Sequence, residues 1–252
     1  MIRFQVSDAG TRYTARFTRT AFRDALIPLA GRIEGDYTAS ARRPFCVAVA
    51  GPPGSGKSTV AWVLEQLLKQ RGVPALVLPL DGFHLTGEQL AAGTAVVDGR
   101  ELPLSHIKGG KETYDTGKLA RMLASLRRGE PFWWPAYSRR IHEPVERGVL
   151  IDRSASLYLI EGNYLLLREP PWSSLASFFD RRLFILPERR LLRRRIQARK
   201  MRGGFTRGQA AAHFRRSDRR NIREVLARSW GWDYLLVQRG RFGYRLRVVK
   251  GG

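Results

Sequence analysis

The chain has 252 residues, of which 43% are apolar and 27% are charged. This composition suits one globular domain, or one domain with a small appendage, and excludes a disordered or low-complexity chain. The single cysteine, Cys46, excludes a disulfide framework and a cysteine-rich zinc site. Because the sequence has no apolar run of membrane-spanning length and no signal-peptide pattern, we expect a cytoplasmic protein without membrane insertion.

The formal net charge is +23, and the excess is concentrated towards the C-terminus. Residues 181–252 hold 22 of the 45 basic residues but only 4 of the 22 acidic residues. A basic region of this kind indicates an anionic partner, which could be a nucleic acid, an acidic lipid or the phosphates of a nucleotide. Charge alone does not choose among these partners.

In chain order, the apolar pattern predicts a lead-in followed by alternating strands and helices. The lead-in, residues 1–44, contains a short extended stretch, Ile2–Val6, and an amphipathic helix, Thr20–Tyr37. Continuous apolar runs predict buried strands at Phe45–Ala50, Ala75–Leu80, Leu157–Ile160 and Arg182–Leu186. Two further strands are predicted at Tyr234–Gln238 and 244–249.

Helices are predicted between these strands. Their ranges are Lys57–Gln70, Thr116–Arg128, Glu188–Met201, a helix that Thr206 and Gln209 cap reciprocally, and Asp218–Ser229. Residues 82–115 are expected to form an irregular insertion, and Phe132–Glu146 an aromatic and proline-rich loop. The alternation predicts an α/β fold of three layers, with a mostly parallel sheet and helices on both faces.

A glycine-rich loop follows the first buried strand. Its sequence, GPPGSGKS at residues 51–58, fits G-x-x-x-x-G-K-[S/T] between a strand and a helix, which is typical of a phosphate-binding P-loop. Its main-chain amides form an anion-binding nest, and the helix that begins there adds the positive end of its dipole. The predicted nucleotide-binding residues are Gly51, Gly54, Ser55, Gly56, Lys57, Ser58 and Thr59, with Ser58 also a magnesium ligand.

Two acidic residues follow predicted strands. Asp81 closes the second strand, where a carboxylate could accept the proton of an attacking hydroxyl, or could merely cap the turn before Gly82. Glu161 directly follows another apolar strand, as the acid that holds Mg²⁺ does in P-loop enzymes. Both are expected at the carboxyl edge of the sheet, beside the phosphates.

The helix at Arg189–Arg202 is arginine-rich. Arg193, Arg194, Arg195 and Arg199 lie on successive turns, where like charges repel unless an anion is present. A lid that closes over ATP would supply that anion, and one of its arginines could neutralise charge on the transferred phosphoryl group. The alternative is an arginine-rich face in contact with solvent. The sequence does not resolve which arginine acts.

Seven segments together resemble P-loop kinases of the family that groups pantothenate kinase, uridine kinase and phosphoribulokinase, especially bacterial nucleoside and fructose-transport kinases. The segments are GPPGSGKST (51–59), LPLDGFHL (78–85), KGGKETYD (108–115), PAYSRRIHEP (135–144), LIEGNYLLL (159–167), FDRRLFI (179–185) and the arginine-rich stretch that ends in RGGFT (202–206). The resemblance covers residues 45–238. It implies one P-loop kinase domain over residues 1–252, with an acceptor-side insertion at 82–146 and a lid at about 188–206.

The resemblance also implies ATP and Mg²⁺ as cofactors and roles for individual residues. Asp81 would be the base, and Lys57 with a lid arginine, Arg195 or Arg199, would act on the phosphates. Glu161 would join Ser58 at the metal. The residues implied around the acceptor pocket are Asp81, His84, Tyr137, Arg139, His142 and Asn163. Members of the family are often dimers or tetramers, so the chain is a candidate for homo-oligomers.

Two residues depart from the family pattern: Ser138 stands where relatives carry an aspartate, and Lys111 where they carry a proline. We expect an ATP-dependent kinase that phosphorylates an alcohol group of a small molecule, with a nucleic-acid partner disfavoured. A nucleic-acid-binding NTPase that uses the basic C-terminal third and a regulatory protein without transfer activity remain as alternatives.

Overall fold

The computed structural model describes residues 1–8, 11–138 and 140–249. Within these ranges, a six-stranded sheet lies at the centre and three two-stranded hairpins surround it. The strands are β1 (Ile2–Asp8), β2 (Thr11–Phe17), β3 (Phe45–Ala50), β4 (Ala75–Pro79), β5 (Thr94–Val97), β6 (Arg100–Pro103), β7 (Phe132–Ser138), β8 (Glu143–Ile151), β9 (Leu157–Gly162), β10 (Arg181–Leu186), β11 (Tyr234–Arg239) and β12 (Gly243–Val248).

The helices alternate with the strands of the central sheet. They are α1 (Arg19–Ala21), α2 (Ile27–Ala39), α3 (Lys57–Gln70), α4 (Gly87–Ala92), α5 (Thr116–Arg127), α6 (Arg189–Arg202), α7 (Arg207–His213) and α8 (Arg219–Arg228). A π-helical stretch, Phe22–Leu26, joins α1 to α2, so the first predicted helix is present and slightly longer than expected. No helix in the described ranges is both long and apolar enough to cross a membrane.

The central sheet has the strand order β12-β11-β10-β3-β9-β4, and its pairs are parallel except for β11 with β12. Every residue of β3 and of β9 is buried, as the continuous apolar runs predicted for strands covered on both faces. In the register, Ala50 lies opposite Gly162, and Pro79 lies opposite Glu161. The carboxyl ends of β3, β9 and β4 therefore meet at one edge of the sheet.

Each face of the sheet packs against its own hydrophobic core. On one face, the residues of α2 and α3, among them Ile33, Leu64 and Leu68, pack against odd-numbered residues of β3 such as Val47. On the other face, α5 and the segment after β9 cover the sheet, with Trp134 and Tyr164 almost fully buried. The predicted three-layer α/β arrangement is confirmed.

Residues 82–115 are not the irregular insertion expected from the sequence. They contain α4 and the hairpin β5–β6, whose turn residues Asp98 and Gly99 both have positive φ, 49° and 76°. Two consecutive positive φ angles are typical of the tight turn that Asp-Gly favours between strands. The Asp-Gly pair directly after the apolar run Ala95–Val97 was a signal for this hairpin in the sequence.

The prediction of a loop at Phe132–Glu146 is also wrong, because β7 and β8 form a hairpin there. The register shifts between Trp134 and Ala136, which places Pro135 at a bulge, where a strand tolerates a residue without an amide hydrogen. The Trp134 indole donates a hydrogen bond of 2.9 Å to the Pro79 carbonyl. The aromatic run therefore anchors the hairpin to the end of β4.

The lead-in differs from the prediction as well. The extended stretch at its start is one strand of the hairpin β1–β2, and β2 was missed. In β2, Ala15 and Phe17 are buried and Thr14 and Arg16 are exposed, an alternation typical of a half-buried strand. The reciprocal cap of α7 by Thr206 and Gln209 is confirmed.

A buried ion pair joins α5 to the start of the central sheet. The Arg127 guanidinium donates to the Asp180 carboxylate at 2.7 Å and to the Pro44 and Phe178 carbonyls. The same carboxylate accepts the Cys46 amide at 2.7 Å. Both charged side chains are almost fully buried, so each depends on the other for compensation.

We predict that Arg127→Met lowers the free energy of unfolding by about 3 kcal/mol, because it leaves the buried Asp180 carboxylate without its main cation. Urea denaturation followed by circular dichroism measures this change. Arg128→Met is the matched control, because the neighbouring Arg128 pairs with Glu130 on the exposed surface. Equal midpoints for the wild type and Arg127→Met would contradict the assignment.

Candidate active site

The P-loop lies at the carboxyl end of β3 and runs into α3. Gly56 caps α3 in the left-handed conformation, with φ 91° and ψ 18°, and Gly54 has φ 78°. These angles let the chain turn sharply from the strand into the helix. The amides of Lys57, Ser58 and Thr59 lie in the first turn of α3, where a helix leaves N–H groups available to an anion.

The outer side of this loop is closely packed. A Cβ on Gly51 would lie 2.9 Å from both the Ile185 carbonyl and the Ser55 hydroxyl, and one on Gly54 would lie 3.0 Å from Ile196 of α6. The buried Ser55 hydroxyl has no hydrogen-bond partner within the described part of the chain. A buried hydroxyl without a partner is typical of a site that a ligand or water completes.

The structure brings together Ser58 and Glu161, the two residues predicted to hold the metal. The Ser58 hydroxyl donates a hydrogen bond of 3.0 Å to the Glu161 carboxylate, which is 5% exposed. Two hard oxygen donors fit Mg²⁺, which takes its other ligands from phosphates and water. In the described ranges, no group of three or more His, Cys, Asp or Glu side chains could hold a metal by itself. The residues present therefore fit a magnesium ion that arrives with a nucleotide.

Asp81 lies at the same edge of the sheet as the P-loop. It belongs to a 3₁₀ turn, Leu80–Phe83, directly after β4, and Pro79 at the end of β4 pairs with Glu161. A Cβ on the following residue, Gly82, would lie 2.2 Å from the Pro135 carbonyl, so the β7–β8 hairpin packs directly onto this turn. The hairpin thus fixes the turn that carries the acid.

Three rings form an aromatic cluster beside Asp81. His84 stacks on Tyr114 with ring centroids 4.0 Å apart, and Tyr137 meets the other side of His84 edge-on at 5.4 Å. Burial lowers the pKa of His84, so its imidazole is neutral near pH 7. Burial, with Glu143 and Asp81 nearby, raises the pKa of Tyr137 to about 12. The cluster therefore presents neutral rings to the edge of the sheet.

Tyr114 connects this cluster to the acids and to α6. Burial raises the pKa of its hydroxyl well above the usual value, and the charges of Asp81 and Glu161 act in the same direction. Arg199 has the opposite effect on this pKa, which places its guanidinium within electrostatic range of the same hydroxyl. Of the arginines on α6, Arg199 is thereby linked to the predicted acceptor side.

Arg195 lies elsewhere. Its guanidinium donates to the Gly54 carbonyl at 3.3 Å, to the Gln238 side chain at 3.1 Å and to the Arg241 carbonyl at 2.9 Å. These bonds tie α6 to the outside of the P-loop and to the turn between β11 and β12. Arg193, Arg194 and Arg199, by contrast, are exposed.

Three further residues were predicted to line the acceptor pocket: His142, Asn163 and Arg139. The exposed His142 contributes its carbonyl, which accepts hydrogen bonds from the Tyr137 hydroxyl at 2.7 Å and from Lys108 at 3.2 Å. Asn163 follows β9, and its side-chain oxygen is buried with no hydrogen-bond partner among the described residues. Arg139 lies outside the described residues.

Lys111 does not point a free charge at the acceptor side. Its ammonium lies 2.7 Å from the Glu224 carboxylate and 3.0 Å from the Glu169 carboxylate. Arg228 also pairs with Glu169. Lys111, which stands where the resemblance leads us to expect a proline, therefore links the segment before Tyr114 to α8 through its ion pair with Glu224.

Comparison with known proteins identifies the family. A profile of the "Phosphoribulokinase / Uridine kinase family" matches residues 46–219. The chain belongs to this family. It is a P-loop kinase fold, as the seven sequence segments predicted.

Relatives in the phosphoribulokinase/uridine kinase family span nearly the whole chain. An uncharacterized protein, YggC, of Escherichia coli is 34% identical over 96% of this chain and 99% of its own. A protein of Schizosaccharomyces pombe named "Putative uridine kinase" is 29% identical over 81% of this chain and 85% of its own. The solved structure of a "putative fructose transport system kinase" from Silicibacter sp. TM1040 has a TM-score of 0.76 and 28% identity, covering 85% of this chain and 99% of that one.

The sequence missed two tyrosines at the site. Tyr13 of β2 contacts Thr59 of the P-loop helix, and Tyr244 of β12 lies against Gly56. The only sequence signal for Tyr13 was the alternation in β2, and Tyr244 was predicted only as part of a strand.

We predict that the stability of the wild type falls more steeply between pH 7.5 and pH 5 than that of His84→Phe. The pKa of His84 is lowered in the folded chain, so on acidification below about 6.5 the unfolded chain takes up the proton first and is stabilised. Phe keeps a ring against Tyr114 but cannot titrate. Thermal unfolding at the two pH values measures the difference.

The exposed His106 provides the control, because His106→Phe leaves the buried imidazole in place and should keep the wild-type pH dependence. A parallel loss of stability in the wild type and in His84→Phe would show that His84 is not held neutral by burial.

Proposed function

We propose that the chain is an ATP-dependent kinase that transfers the γ-phosphoryl group of Mg·ATP to a hydroxyl group of a small molecule. The acceptor classes are a nucleoside, a pantothenate-like alcohol or a sugar. One observation carries the proposal: the parallel register of β3, β9 and β4 brings the P-loop, Glu161 and Asp81 to the same edge of the sheet. Kinase chemistry requires these groups on two sides of one phosphoryl group.

On the donor side, the chain binds and neutralises the triphosphate. The amides of the first turn of α3 and the ammonium of Lys57 bind the phosphate oxygens, and Ser58 with Glu161 would hold Mg²⁺. When bound, Mg·ATP would supply the phosphoryl group, and the charge of the magnesium ion would polarise that group. Since such a transfer needs little covalent help from the protein, positioning and charge stabilisation supply most of the rate enhancement.

On the acceptor side, Asp81 accepts the proton of the acceptor hydroxyl. The hydroxyl oxygen then bonds to the γ-phosphorus as the bond from phosphorus to the ADP oxygen breaks. The neutral rings of His84, Tyr114 and Tyr137 flank the acceptor, and the buried oxygen of Asn163 offers it a hydrogen-bond acceptor. These rings would displace water from around the acceptor, which strengthens the interaction between Asp81 and the acceptor hydroxyl.

The two arginines named from the sequence would have different functions. Arg199 acts electrostatically on the Tyr114 hydroxyl, beside Asp81, and is our candidate for stabilising charge on the transferred group. Arg195 is bound to two main-chain carbonyls and a side chain, and would position the P-loop instead. The arginine-rich helix would act as the lid.

The names of similar proteins support a small-molecule acceptor, but they differ in which acceptor they indicate. Similar proteins bear the names "Putative uridine kinase", "Pantothenate kinase" and "putative fructose transport system kinase". The ion pairs of Lys111 also favour transfer activity over a regulatory role, because the lysine is held by Glu169 and Glu224 and leaves the acceptor side open.

We predict that Asp81→Asn abolishes phosphoryl transfer while nucleotide binding persists, because the amide cannot accept the hydroxyl proton. ADP release, measured across nucleosides, pantothenate and sugars, gives the turnover, and a fluorescent ATP analogue gives the affinity. Glu88→Gln, an exposed acid on α4, is the control and should keep both. Near-normal turnover of Asp81→Asn with any acceptor that the wild type uses would exclude Asp81 as the base.

We predict that Arg199→Gln lowers kcat by about a thousandfold with little change in nucleotide affinity, as expected for a group that acts on the transferred phosphoryl. Arg195→Gln should weaken nucleotide binding, because it frees the Gly54 carbonyl. The exposed Arg193, on the same helix, provides the control as Arg193→Gln. The same kcat loss in Arg199→Gln and Arg193→Gln would assign the effect to the general charge of the helix.

A further inference from the structure

The N-terminal hairpin reaches the P-loop helix through one side chain. The Tyr13 hydroxyl of β2 lies 2.8 Å from the Thr59 hydroxyl, in the first turn of α3 beside Ser58. The ring of Phe4, on β1, packs edge-on against Trp62 of α3 with centroids 6.2 Å apart. The hairpin β1–β2 is therefore seated on the phosphate-binding end of α3.

The C-terminal hairpin, formed by β11 and β12, contacts the P-loop as well. A Cβ on Gly56 would lie 3.3 Å from the Tyr244 hydroxyl of β12. Tyr244 lies close enough to Arg195 for the guanidinium to lower its pKa, and Arg195 binds the Gly54 carbonyl and the Arg241 carbonyl. Burial raises the pKa of Tyr244, so its hydroxyl keeps its proton and can donate.

The two hairpins also contact each other. The Thr18 amide, just after β2, donates a hydrogen bond of 3.0 Å to the Phe242 carbonyl, just before β12. The Phe17 and Tyr244 rings pack with centroids 5.9 Å apart. Both hairpins lie outside residues 46–219, the part that matches the family profile. They form one continuous support behind the P-loop, built from the two ends of the chain.

We propose that this support is part of the nucleotide site: Tyr13 and Tyr244 are positioning residues that hold Thr59 and Gly56 in the arrangement that binds the triphosphate. The inference rests on the proposed nucleotide-binding function of the P-loop. It assigns to the terminal hairpins a functional contribution beyond packing.

The donors and acceptors of the two hydroxyl groups explain how Tyr13 would orient Thr59. A threonine hydroxyl can accept from two donors but can donate only one proton. A phenol is the stronger donor of the two hydroxyls, so Tyr13 donates to Thr59 and leaves the Thr59 proton for a phosphate oxygen. Without Tyr13, the Thr59 hydroxyl can rotate, and binding the phosphate must also fix that rotation.

Tyr244 acts on the other end of the same turn. Its hydroxyl covers Gly56, the left-handed residue that caps α3, and it lies beside Arg195, whose guanidinium donates to the Gly54 carbonyl. The two positive-φ glycines of the loop are thus each backed by a side chain from outside the loop. A support of this kind reduces the ordering that the loop must undergo when it binds phosphate.

The test is a calorimetric titration with the magnesium complex of AMP-PNP, a non-hydrolysable ATP analogue, which needs no knowledge of the acceptor. We expect Tyr13→Phe and Tyr244→Phe each to raise the Kd by about fivefold, since each removes one hydroxyl group that supports the loop. Both variants keep the aromatic ring, so the unliganded proteins should remain fully folded at the temperature of the titration.

Tyr37→Phe is the matched control. The Tyr37 hydroxyl lies 2.7 Å from the Ser156 hydroxyl, a contact of the same chemistry at the opposite end of β3. Its removal should leave the Kd unchanged. A double-mutant cycle adds a second control: on a Thr59→Val background, Tyr13→Phe should have no further effect, since Tyr13 acts through the Thr59 hydroxyl.

The outcomes separate this inference from the proposed function. Wild-type affinity in Tyr13→Phe and Tyr244→Phe, or an equal loss in Tyr37→Phe, would overturn the positioning role while the nucleotide site stands. Additive losses in the Thr59→Val cycle would overturn the mechanism for Tyr13. Failure of the wild type to bind the analogue would overturn the nucleotide site, and the positioning role with it.

Discussion

A turn of main-chain amides at the end of one buried strand is the constraint on which the other features depend. The amides in the first turn of α3 have no acceptors within the helix. An anion next to this turn accepts their hydrogen bonds and so stabilises it. The neighbouring strands are in register with β3, so the acids at their carboxyl ends, Glu161 and Asp81, are placed around the same point. A change of one residue in this register would move either acid away from the phosphates.

This edge of the sheet combines neutral rings with a small set of charged groups. The rings are those of the half-buried His84 and the buried Tyr114, and the charges are those of Asp81, Glu161 and the arginine-rich helix. In such an environment, electrostatic interactions between a few fixed groups are stronger than in water. The distribution of charge thus favours a reaction in which a highly charged group moves a short distance.

The sequence predicted the P-loop, the buried strands and the acids at one sheet edge, because these features depend on short apolar runs and on local backbone requirements. It could not choose between Arg195 and Arg199, since their partners, such as the Gly54 carbonyl and Gln238, lie far away along the chain. The contact of Tyr13 with Thr59 spans 46 residues and leaves no local pattern. The hairpin β7–β8 was missed because its proline suggested a loop, whereas the structure places that proline at a bulge.

The most direct test of the central claim is a crystal structure of the protein with Mg²⁺ and a non-hydrolysable ATP analogue. The account predicts that the first turn of α3 and Lys57 contact the β- and γ-phosphates, with the Asp81 carboxylate facing the γ-phosphate from the acceptor side. An analogue bound away from this turn, or a γ-phosphate that points away from Asp81, would contradict it.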